Sequence, residues 1–533
     1  MKTFAANTLW AASCLPEWQR FQRAANHVEE TQAELLRRYL HVNSETEYGR
    51  KYQFAQLTSA SQYQKNTPLT TYDDYHESIR RIGEGEKCVL TAEPVRMFEL
   101  SSGSTAASKL IPYTSTLKAE FQRGIAPWIY DLYANIPALK HGPAYWSVTR
   151  LVDGKRCTPA GIPIGFESDS AYLGLLGKWL VDAVMAVPND VKNISDIDTF
   201  RYVTLLCLLR QPTLRLISVW NPTFLKLLLA PLSDWWDSLL EDIALGTVSK
   251  GDVNLRFSPD PKRARALIAF SPTDIKSLWP HLRLISCWVD GASAAYARQI
   301  EELFPQARLQ AKGLLATEAF VSLPLLGEEG SVLSINSHFF EFMDGTGDVY
   351  LAHRVQKGKT YSVIITTGGG FYRYQLHDVV EVIGYWGQAP CIRFVGKADH
   401  ISDWFGEKLE ERFVTSVLEG MFAKYKVSPS FAMLAPDDTN DFRYVLYIES
   451  DRVIQRFGQD LDVALRANFH YDYCRKLGQL QGVEIVYVLN GAETYVKACQ
   501  ARGQKLGNIK PSVLQKTTGW RDWFETKTHA EQE

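Results

Sequence analysis

Closely spaced hydroxyl groups occupy the segment FELSSGSTAASKLIPYT, residues 98–114. The run of small residues in it is Ser101, Ser102, Gly103, Ser104 and Thr105. Hydroxyls and successive backbone N–H groups can surround an oxyanion, and a glycine lets the backbone approach it. The nucleotide P-loop pattern GxxxxGK[ST] is absent, and loops of this composition are mostly solvated turns. Phosphate binding is therefore a hypothesis that needs support from other segments.

Two carboxylates lie in segments that could complete a nucleotide site. Asp378 follows three glycines in TTGGGFYRYQLHDVVEV, residues 366–382. A carboxylate in such a place accepts hydrogen bonds from ribose hydroxyls, although a capped hairpin would also explain it. Glu318 lies among apolar residues and small hydroxyls in GLLATEAF, residues 313–320. That neighbourhood favours a metal-binding or paired role over simple surface exposure.

Length and composition set the class of protein that must position these residues. At 533 residues, with 46% hydrophobic and 22% charged residues, the chain is typical of a soluble globular protein of two or more domains. Its net charge of -2 gives no bulk attraction to nucleic acid or anionic lipid. The eight cysteines are too dispersed for zinc-ligand spacing, which favours reduced thiols and a cytoplasmic location.

Membrane insertion and secretion are not expected. The start, MKTFAANTLWAASCLPEW, faintly resembles a secretory signal, but its apolar residues continue at helical spacing as far as Tyr39. The longest later apolar run, Phe224 to Leu232, contains Lys226 and is too short to span a bilayer. We expect a monomer with no membrane or nucleic-acid partner.

The order of apolar patterns predicts an α/β fold with a large multi-layer N-terminal domain, 1–395, and a smaller mobile α+β C-terminal domain, 396–533. The first hundred residues are predicted to be helical up to two strands, Cys88–Leu90 and Val95–Leu100. Further predicted strands are Ala144–Val148, Leu282–Trp288, Val332–Ile335, Thr360–Thr366, Val379–Gly384 and Cys391–Val395. Predicted helices are Thr116–Tyr133, Ala171–Val187, Asn221–Leu229 and Ala294–Leu303. In the C-terminal domain, PSFAML, FRYVLYIES and GVEIVYVLN predict strands, GEKLEERFVTSVLEGMF an amphipathic helix, and 451–477 one further helix.

The order of the motifs, rather than any one of them, resembles a known family. SSGST followed by lysine, then ATE, then GGGFYRYQLHD, then FVGKAD is similar to the adenylate-forming superfamily. AYWSVTR, GIPIGFESDSAYLG, LISVWNPTFL, HFFEF and YRYQLHDVVEV resemble more closely the auxin-responsive acyl-acid amido synthetases, the Gretchen Hagen family. The likeness runs from about Trp18 to Lys510.

The resemblance implies an AMP-forming ligase that uses ATP and Mg²⁺. A carboxylic acid would attack the α-phosphate, and an amine, usually an amino acid, would then take the acyl group. By the same match, the loop 101–105 would wrap phosphate, Glu318 would bind Mg²⁺, and Asp378 would hold the ribose. Thr317 would lie beside the α-phosphate, and Phe339 would flank adenine.

The resemblance also assigns residues to catalysis and to the acid. Lys408 in GEKLEE and Lys510 in NIKPSVLQ match lysines that relatives use to stabilise phosphoryl oxygen, delivered by rotation of the small domain. The acid pocket of the family would be lined here by Phe121, Arg123, Trp128, Tyr145, Trp146, Phe166, Tyr172 and Trp220. Such a set suits a flat or apolar acid, with Arg123 available to a carboxylate, although aromatic residues at these spacings are commonly core.

Two departures from the family keep other functions open. Ala106 and Ala107 stand where a glycine is usual, and His377 replaces the glycine before the ribose aspartate. If that position needs a positive φ, histidine adopts it only with strain. A coenzyme A ligase shares the first half-reaction, and a catalytically weak nucleotide-binding protein would explain the departures. A hydrolase is excluded because neither GxSxG nor HExxH occurs.

Overall fold

The structure, a computed structural model, describes residues 2–101, 109–147, 156–165, 183–194, 196–251, 253, 255–290, 293–397, 401–402, 404–405, 407–439, 441–504 and 509–524. Its helices before the sheet region are α1 Lys2–Asn26, α2 Val28–Val42, α3 Glu47–Lys51, α4 Ala60–Asn66 and α5 His76–Gly83. Those that follow are α6 Ser115–Asn135, α7 Ile197–Leu209, α8 Pro222–Leu229, α9 Trp236–Leu245, α10 Pro261–Ile268, α11 Ile275–Leu278 and α12 Ala294–Leu303. The last four are α13 Glu411–Tyr425, α14 Phe457–Leu465, α15 Phe469–Lys476 and α16 Gly491–Ala501.

The strands of the described residues form five sheets. The first ten are β1 Met97–Ser101, β2 Lys109–Tyr113, β3 Ala144–Trp146, β4 Arg156–Cys157, β5 Pro163–Ile164, β6 Leu216–Ser218, β7 Leu284–Cys287, β8 Arg308–Ala311, β9 Ser322–Leu323 and β10 Ser331–Leu333. The others are β11 Phe339–Met343, β12 Val349–Leu351, β13 Thr360–Thr366, β14 Tyr374–Trp386, β15 Ala389–Lys397, β16 Ile401–Ser402, β17 Leu409–Glu410, β18 Phe431–Asp437, β19 Arg443–Glu449 and β20 Glu484–Tyr487.

Two of these sheets carry the residues of interest. A seven-stranded antiparallel sheet has the order β12-β11-β13-β14-β15-β10-β9. A four-stranded sheet of order β3-β6-β7-β8 is parallel throughout. Helix α6 begins at an N-cap, where the Thr114 hydroxyl accepts a hydrogen bond from the Leu117 N–H, and it packs against α1. The layered α/β class predicted for the large N-terminal region is confirmed.

One predicted strand is wrong. Cys88–Leu90 is an irregular segment, with Cys88 at a φ of 56°. The carbonyls of Cys88 and Val89 accept hydrogen bonds from the N–H groups of Glu47 and Tyr48, at the start of α3. The apolar run therefore satisfies the first N–H groups of a helix rather than a neighbouring strand. The second predicted strand, Val95–Leu100, corresponds to β1.

Several predicted elements are found close to their predicted limits. The bounds of β13 and α12 are those predicted, and α6 extends the predicted helix by one residue at its start and two at its end. Most of the predicted helix Ala171–Val187 lies outside the described residues. The end of this predicted helix is not helical, because Met185 forms a parallel β-bridge with Ala144.

The C-terminal part of the chain contains a small mixed sheet of order β18-β19-β20. The single helix predicted over 451–477 is wrong, because α14 and α15 divide it at Asn468. That residue is the N-cap of α15, and its side chain accepts hydrogen bonds from the N–H groups of His470 and Tyr471. Helix α16 was not predicted. The domain boundary at residue 396 stays a prediction.

In the described part of the chain, none of the helices combines the length and apolar character needed to cross a membrane.

Candidate active site

A glycine turn joins β13 to β14 and is held by a buried carboxylate. The N–H of Gly368 donates to both Glu120 oxygens, at 3.1 and 3.0 Å, and the Tyr39 hydroxyl donates to the same carboxylate at 2.7 Å. The Tyr39 hydroxyl contacts Glu120 Oε1, and His338 Nδ1 lies 3.0 Å from Glu120 Oε2. A Cβ on Gly368 would lie 2.5 Å from Glu120 Oε1, so only glycine allows this approach. Glu120 thus fixes the start of the segment that carries Asp378.

A bulge in β14 directs the aspartate. His377 has a φ of 60°, which confirms that the residue before Asp378 adopts the left-handed region. The pairing of β14 with β13 is irregular there, with Ser362 opposite Val379 and Ile364 opposite Gln375. Such a bulge turns a side chain away from the regular alternation of the strand. The strain on a non-glycine residue is of the kind that accumulates at functional sites.

Asp378 is paired with a lysine from the next strand. It lies opposite Lys397 in the β14–β15 ladder, and Lys397 Nζ is 3.3 Å from Asp378 Oδ1. The aspartate is buried, whereas the lysine is 42% exposed in its side chain. The pair therefore lies at the end of β15, with the carboxylate shielded and the lysine side chain partly exposed.

Glu318 is buried close to this pair. Tyr374 donates its hydroxyl to Glu318 Oε1 at 3.3 Å. Burial raises the pKa of Glu318, and Asp378 raises it further, while Lys397 and Lys109 lower it. A carboxylate that burial makes costly to ionise gains most from a bound cation.

Lys510 reaches the same place from the C-terminal part of the chain. The Asn221 side chain donates to the Ile509 carbonyl at 2.9 Å, which docks this segment onto the start of α8. Surrounding protein lowers the pKa of Lys510, while Asp378 raises it and Lys397 lowers it further. Lys510 is nevertheless an exposed residue by its accessible surface. The structure thus brings Glu318, Asp378, Lys397 and Lys510 into one charged cluster, called here the carboxylate–lysine cluster.

The donor set of this cluster fits a magnesium–nucleotide complex better than a bare metal ion. Among the described residues there is no group of three or more His, Cys, Asp or Glu side chains placed to hold a metal. Mg²⁺ is usually held by one or two carboxylates together with substrate phosphates and water. Glu318 can supply the carboxylate, and the two lysines can face phosphate oxygens.

The other predicted nucleotide-binding residues are Thr317, the loop 101–105 and Phe339, and among the described hydrogen bonds neither Thr317 nor Phe339 contacts the carboxylate–lysine cluster. Thr317 precedes Glu318, and its carbonyl accepts a hydrogen bond from the Tyr113 hydroxyl at 2.6 Å. Ser101 ends β1, while Ser102, Gly103, Ser104 and Thr105 lie outside the described residues. Phe339 is 1% exposed and packs edge-on against Tyr63, so contact of its ring with adenine would require this packing to open.

Lys408 is not brought to the carboxylate–lysine cluster. It is exposed just before β17, has a φ of 43°, and its carbonyl accepts a hydrogen bond from the Asn468 side chain. The two predicted catalytic lysines therefore occupy different environments in this arrangement of the chain.

The predicted acid-binding residues differ in their surroundings: Trp220 and Arg123 are not part of the hydrophobic core, whereas Tyr145 is. Trp220 is partly buried at the end of β6, and Arg123 donates to the Asn336 carbonyl at 3.2 Å. Tyr145 is buried in the hydrophobic core around α7, on the face of β3 opposite to that of Trp146. Tyr145 is therefore a core residue in this structure, and Trp220 does not belong to that core. Phe166 and Tyr172 lie outside the described residues.

Sequence reasoning missed a buried lysine beside Trp220. Lys312 directly follows β8, and its Nζ donates to Ser218 Oγ at 2.7 Å. The same atom lies 5.1 Å from the ring centroid of Trp128 and 5.0 Å from that of Trp220. Burial lowers the pKa of Lys312 to about 7, with a small opposing effect of Cys287. The only sequence signal is a single charge in the apolar run QAKGLL.

Replacing Lys312 with methionine is expected to raise the free energy of unfolding, most strongly at low pH. The folded pKa of about 7 lies below the unfolded value of 10.5, so between these pH values the unfolded chain binds more protons and wild-type stability rises with pH. The gain in Lys312→Met should be about 1–4 kcal/mol at pH 6.5 and smaller at pH 9.5. Urea denaturation at both pH values measures it. The exposed Lys357→Met variant should show no such difference, and destabilisation of Lys312→Met at pH 6.5 would contradict the expectation.

Three family models match the chain in succession. The GH3 family N-terminal domain matches residues 17–309, the GH3 family central domain residues 331–397, and the GH3 family C-terminal domain residues 414–519.

Curated relatives and solved structures agree with these matches. Indole-3-acetic acid-amido synthetase GH3.3 of Arabidopsis thaliana is 25% identical over 471 residues, covering 81% of this chain and 76% of the relative. Indole-3-acetic acid-amido synthetase GH3.8 of Oryza sativa subsp. indica is 27% identical over 433 residues, covering 74% and 70%. The structure of a GH3.15 acyl acid amido synthetase in complex with 2,4-DB superposes with a TM-score of 0.83 at 21% identity, covering 96% of this chain and 95% of that one. The fold is therefore that of the GH3.15 enzyme.

Proposed function

The chain belongs to the GH3 family, and from that premise we propose that it is an ATP-dependent acyl-acid amido synthetase. It joins a small carboxylic acid to an amine, usually an amino acid, and releases AMP and pyrophosphate. The observation that carries the proposal is the carboxylate–lysine cluster, in which two buried carboxylates and two lysines from four separate segments converge. The names of the curated relatives, indole-3-acetic acid-amido synthetases, support the reaction class.

In the first half-reaction, an oxygen of the acid attacks the α-phosphorus of ATP, and the bond to pyrophosphate breaks. Acid and nucleotide are both anionic, so the site must offset their repulsion and hold them in line. Lys510 and Lys397 supply positive charge at the phosphates, and Asp378 accepts hydrogen bonds from the ribose hydroxyls. Bound Mg²⁺ would neutralise phosphate charge, with Glu318 as its protein ligand. The loop 101–105 and Thr317 complete the phosphate site.

In the second half-reaction, the amine nitrogen attacks the activated carbonyl, loses a proton, and displaces AMP. Negative charge now develops on the phosphate oxygen of the leaving AMP instead of on pyrophosphate. Lys510, which serves the first half-reaction, is therefore not required in the same position. Lys510 is docked beside the cluster by a hydrogen bond from the Asn221 side chain to the Ile509 carbonyl, a contact that can break if Lys510 withdraws between the steps. We propose that the segment after residue 396 moves as a unit for this purpose.

The proposal is tested by ATP–pyrophosphate exchange with a panel of aromatic, indole-containing and fatty carboxylic acids. An acid-dependent exchange is expected, because it reports formation of an acyl-adenylate. Each active acid is then incubated with amino acids or with coenzyme A, and the products are analysed by mass spectrometry. Amide formation supports the proposal, thioester formation would establish a coenzyme A ligase instead, and absence of exchange with every acid would overturn adenylation.

A further inference from the structure

Three buried side chains and the half-buried Trp146 form a row across the parallel sheet. Trp146 on β3 is the register partner of Ser218 on β6, Ser218 of Ser286 on β7, and Ser286 of Gln310 on β8. Register partners in adjacent strands point to the same face of a sheet. Lys312, two residues after Gln310, joins them through its hydrogen bond to Ser218. These five residues are called here the donor row.

The donor row has hydrogen-bonding groups that the described protein does not satisfy. Trp146 Nε1, Ser286 Oγ and Gln310 Nε2 are buried and find no partner among the described residues. Trp128 Nε1 donates to Gln310 Oε1 at 3.1 Å. The oxygen of the Gln310 amide is therefore satisfied, and its N–H groups are the donors that lack a partner among the described residues. Unpaired buried polar groups are rare and costly, so three in one row indicate a missing acceptor.

The charge of the donor row is also unbalanced. No carboxylate forms an ion pair with Lys312 in the part of the chain that the structure describes. Its charged or titratable neighbour is the Cys287 thiol, whose pKa is raised by burial to about 12 and which is therefore neutral. The rings of Trp128 and Trp220 face the ammonium and offer only weak, dispersed attraction. Burial makes the charged form of Lys312 costly, and an anion bound beside it would offset that cost.

The donor row is connected to the carboxylate–lysine cluster through two tryptophans. The backbone N–H of Trp288 donates to the backbone carbonyl of Trp220 at 2.8 Å, and Lys510 Nζ lies 5.2 Å from the Trp288 ring centroid. The ring of Trp220 lies 5.0 Å from Lys312 Nζ. The cluster and the donor row are thus neighbours across these two residues, and an acid that reached from one to the other would pass the tryptophan rings.

We propose that the donor row binds a second carboxylate of the acid substrate, at the end remote from the carboxylate that is adenylated. The inference rests on the proposed function and names the substrate class as dicarboxylic acids with a flat apolar middle. Lys312 supplies the counter-charge, and Trp146, Ser286 and Gln310 supply neutral donors. The tryptophan rings contact the faces of the middle part of the acid.

The test compares matched acids that differ only in the remote carboxylate: benzoate with terephthalate, and phenylacetate with 4-carboxyphenylacetate. In pyrophosphate exchange, the wild-type protein should prefer the diacid of each pair by about tenfold or more in kcat/KM. Lys312→Met should lose about 30-fold or more on the diacid and little on the monoacid, so that the preference reverses. Lys226→Met is the matched control, because Lys226 also lies near an aromatic ring, 5.8 Å from the Tyr296 centroid, but outside the donor row.

Calorimetric titration with terephthalate in the absence of ATP separates this inference from the proposed function. Binding that Lys312→Met abolishes and Lys226→Met retains would support the donor row even if no acid supports exchange. Exchange with monoacids alone, together with no binding of either diacid, would overturn the inference and leave the proposed function standing. Equal losses on monoacid and diacid in Lys312→Met would also overturn it, since the lysine would then serve the reacting carboxylate or the fold.

Discussion

Replacing Lys510 with alanine is expected to reduce ATP–pyrophosphate exchange by about 10²–10³-fold while leaving amide formation from supplied acyl-adenylate nearly unchanged. Lys510 is the charged residue that the C-terminal part of the chain brings to Asp378. Its ammonium would stabilise phosphate oxygens during adenylation, whereas displacement of AMP places the developing charge elsewhere. The two half-reactions should therefore respond differently to the loss of one side chain.

The measurement uses chemically prepared acyl-adenylate with an amine for the second step and pyrophosphate exchange for the first. Lys497→Ala is the control, because Lys497 is an exposed lysine on α16 that pairs with Glu493. Lys408→Ala is the second comparison, and we expect a smaller loss of exchange because Lys408 is exposed and apart from the cluster. Loss of exchange in Lys408→Ala with full exchange in Lys510→Ala would reverse the assignment. Equal losses of both half-reactions in Lys510→Ala would argue against a lysine delivered for one step.

Replacing Glu318 with glutamine is expected to lower pyrophosphate exchange by about 10²–10³-fold, and excess Mg²⁺ should not restore it. The amide keeps an oxygen that can accept the Tyr374 hydroxyl, so the local hydrogen bond survives. It cannot supply the negative charge that a divalent cation requires. Because burial raises the pKa of Glu318, removal of its charge should not destabilise the fold.

The Glu318→Gln experiment measures exchange as a function of magnesium concentration, with thermal unfolding as a check of the fold. Glu328→Gln, at an exposed turn in the same part of the chain, is the matched control and should behave as wild type. Normal exchange with normal magnesium dependence in Glu318→Gln would eliminate Glu318 as the metal-binding carboxylate.

The residues of the carboxylate–lysine cluster differ in how far the sequence predicts them. Glu318, Asp378 and Lys510 lie in motifs whose order along the chain is specific, so the sequence alone is enough to select each of them. The left-handed backbone at His377 could also be predicted, because the family usually has glycine there. Lys397 was not selected, since its approach to Asp378 depends on the register of β14 and β15. A register across a sheet follows from tertiary packing and is weakly marked in a single sequence.

Buried charges were the main features that sequence patterns did not predict. Glu120 holds Gly368 from a helix 248 residues away, and Lys312 meets Ser218 from 94 residues away. In a sequence, each is a charged residue in an otherwise ordinary helix or strand pattern, for which solvent exposure is the default interpretation. The irregular Cys88–Leu90 segment was missed for a related reason, because its hydrogen-bond partners belong to the distant start of α3.

The most direct test of the central claim is transfer of an isotope from the acid to the nucleotide. An acid that supports exchange is prepared with ¹⁸O in its carboxylate and incubated with ATP, Mg²⁺ and an amino acid, and the nucleotide product is analysed by mass spectrometry. Attack of the carboxylate on the α-phosphorus, followed by displacement by the amine, leaves one labelled oxygen in AMP. We predict AMP carrying one ¹⁸O for each amide formed. Formation of ADP with the label in inorganic phosphate, or of AMP without label, would contradict the account.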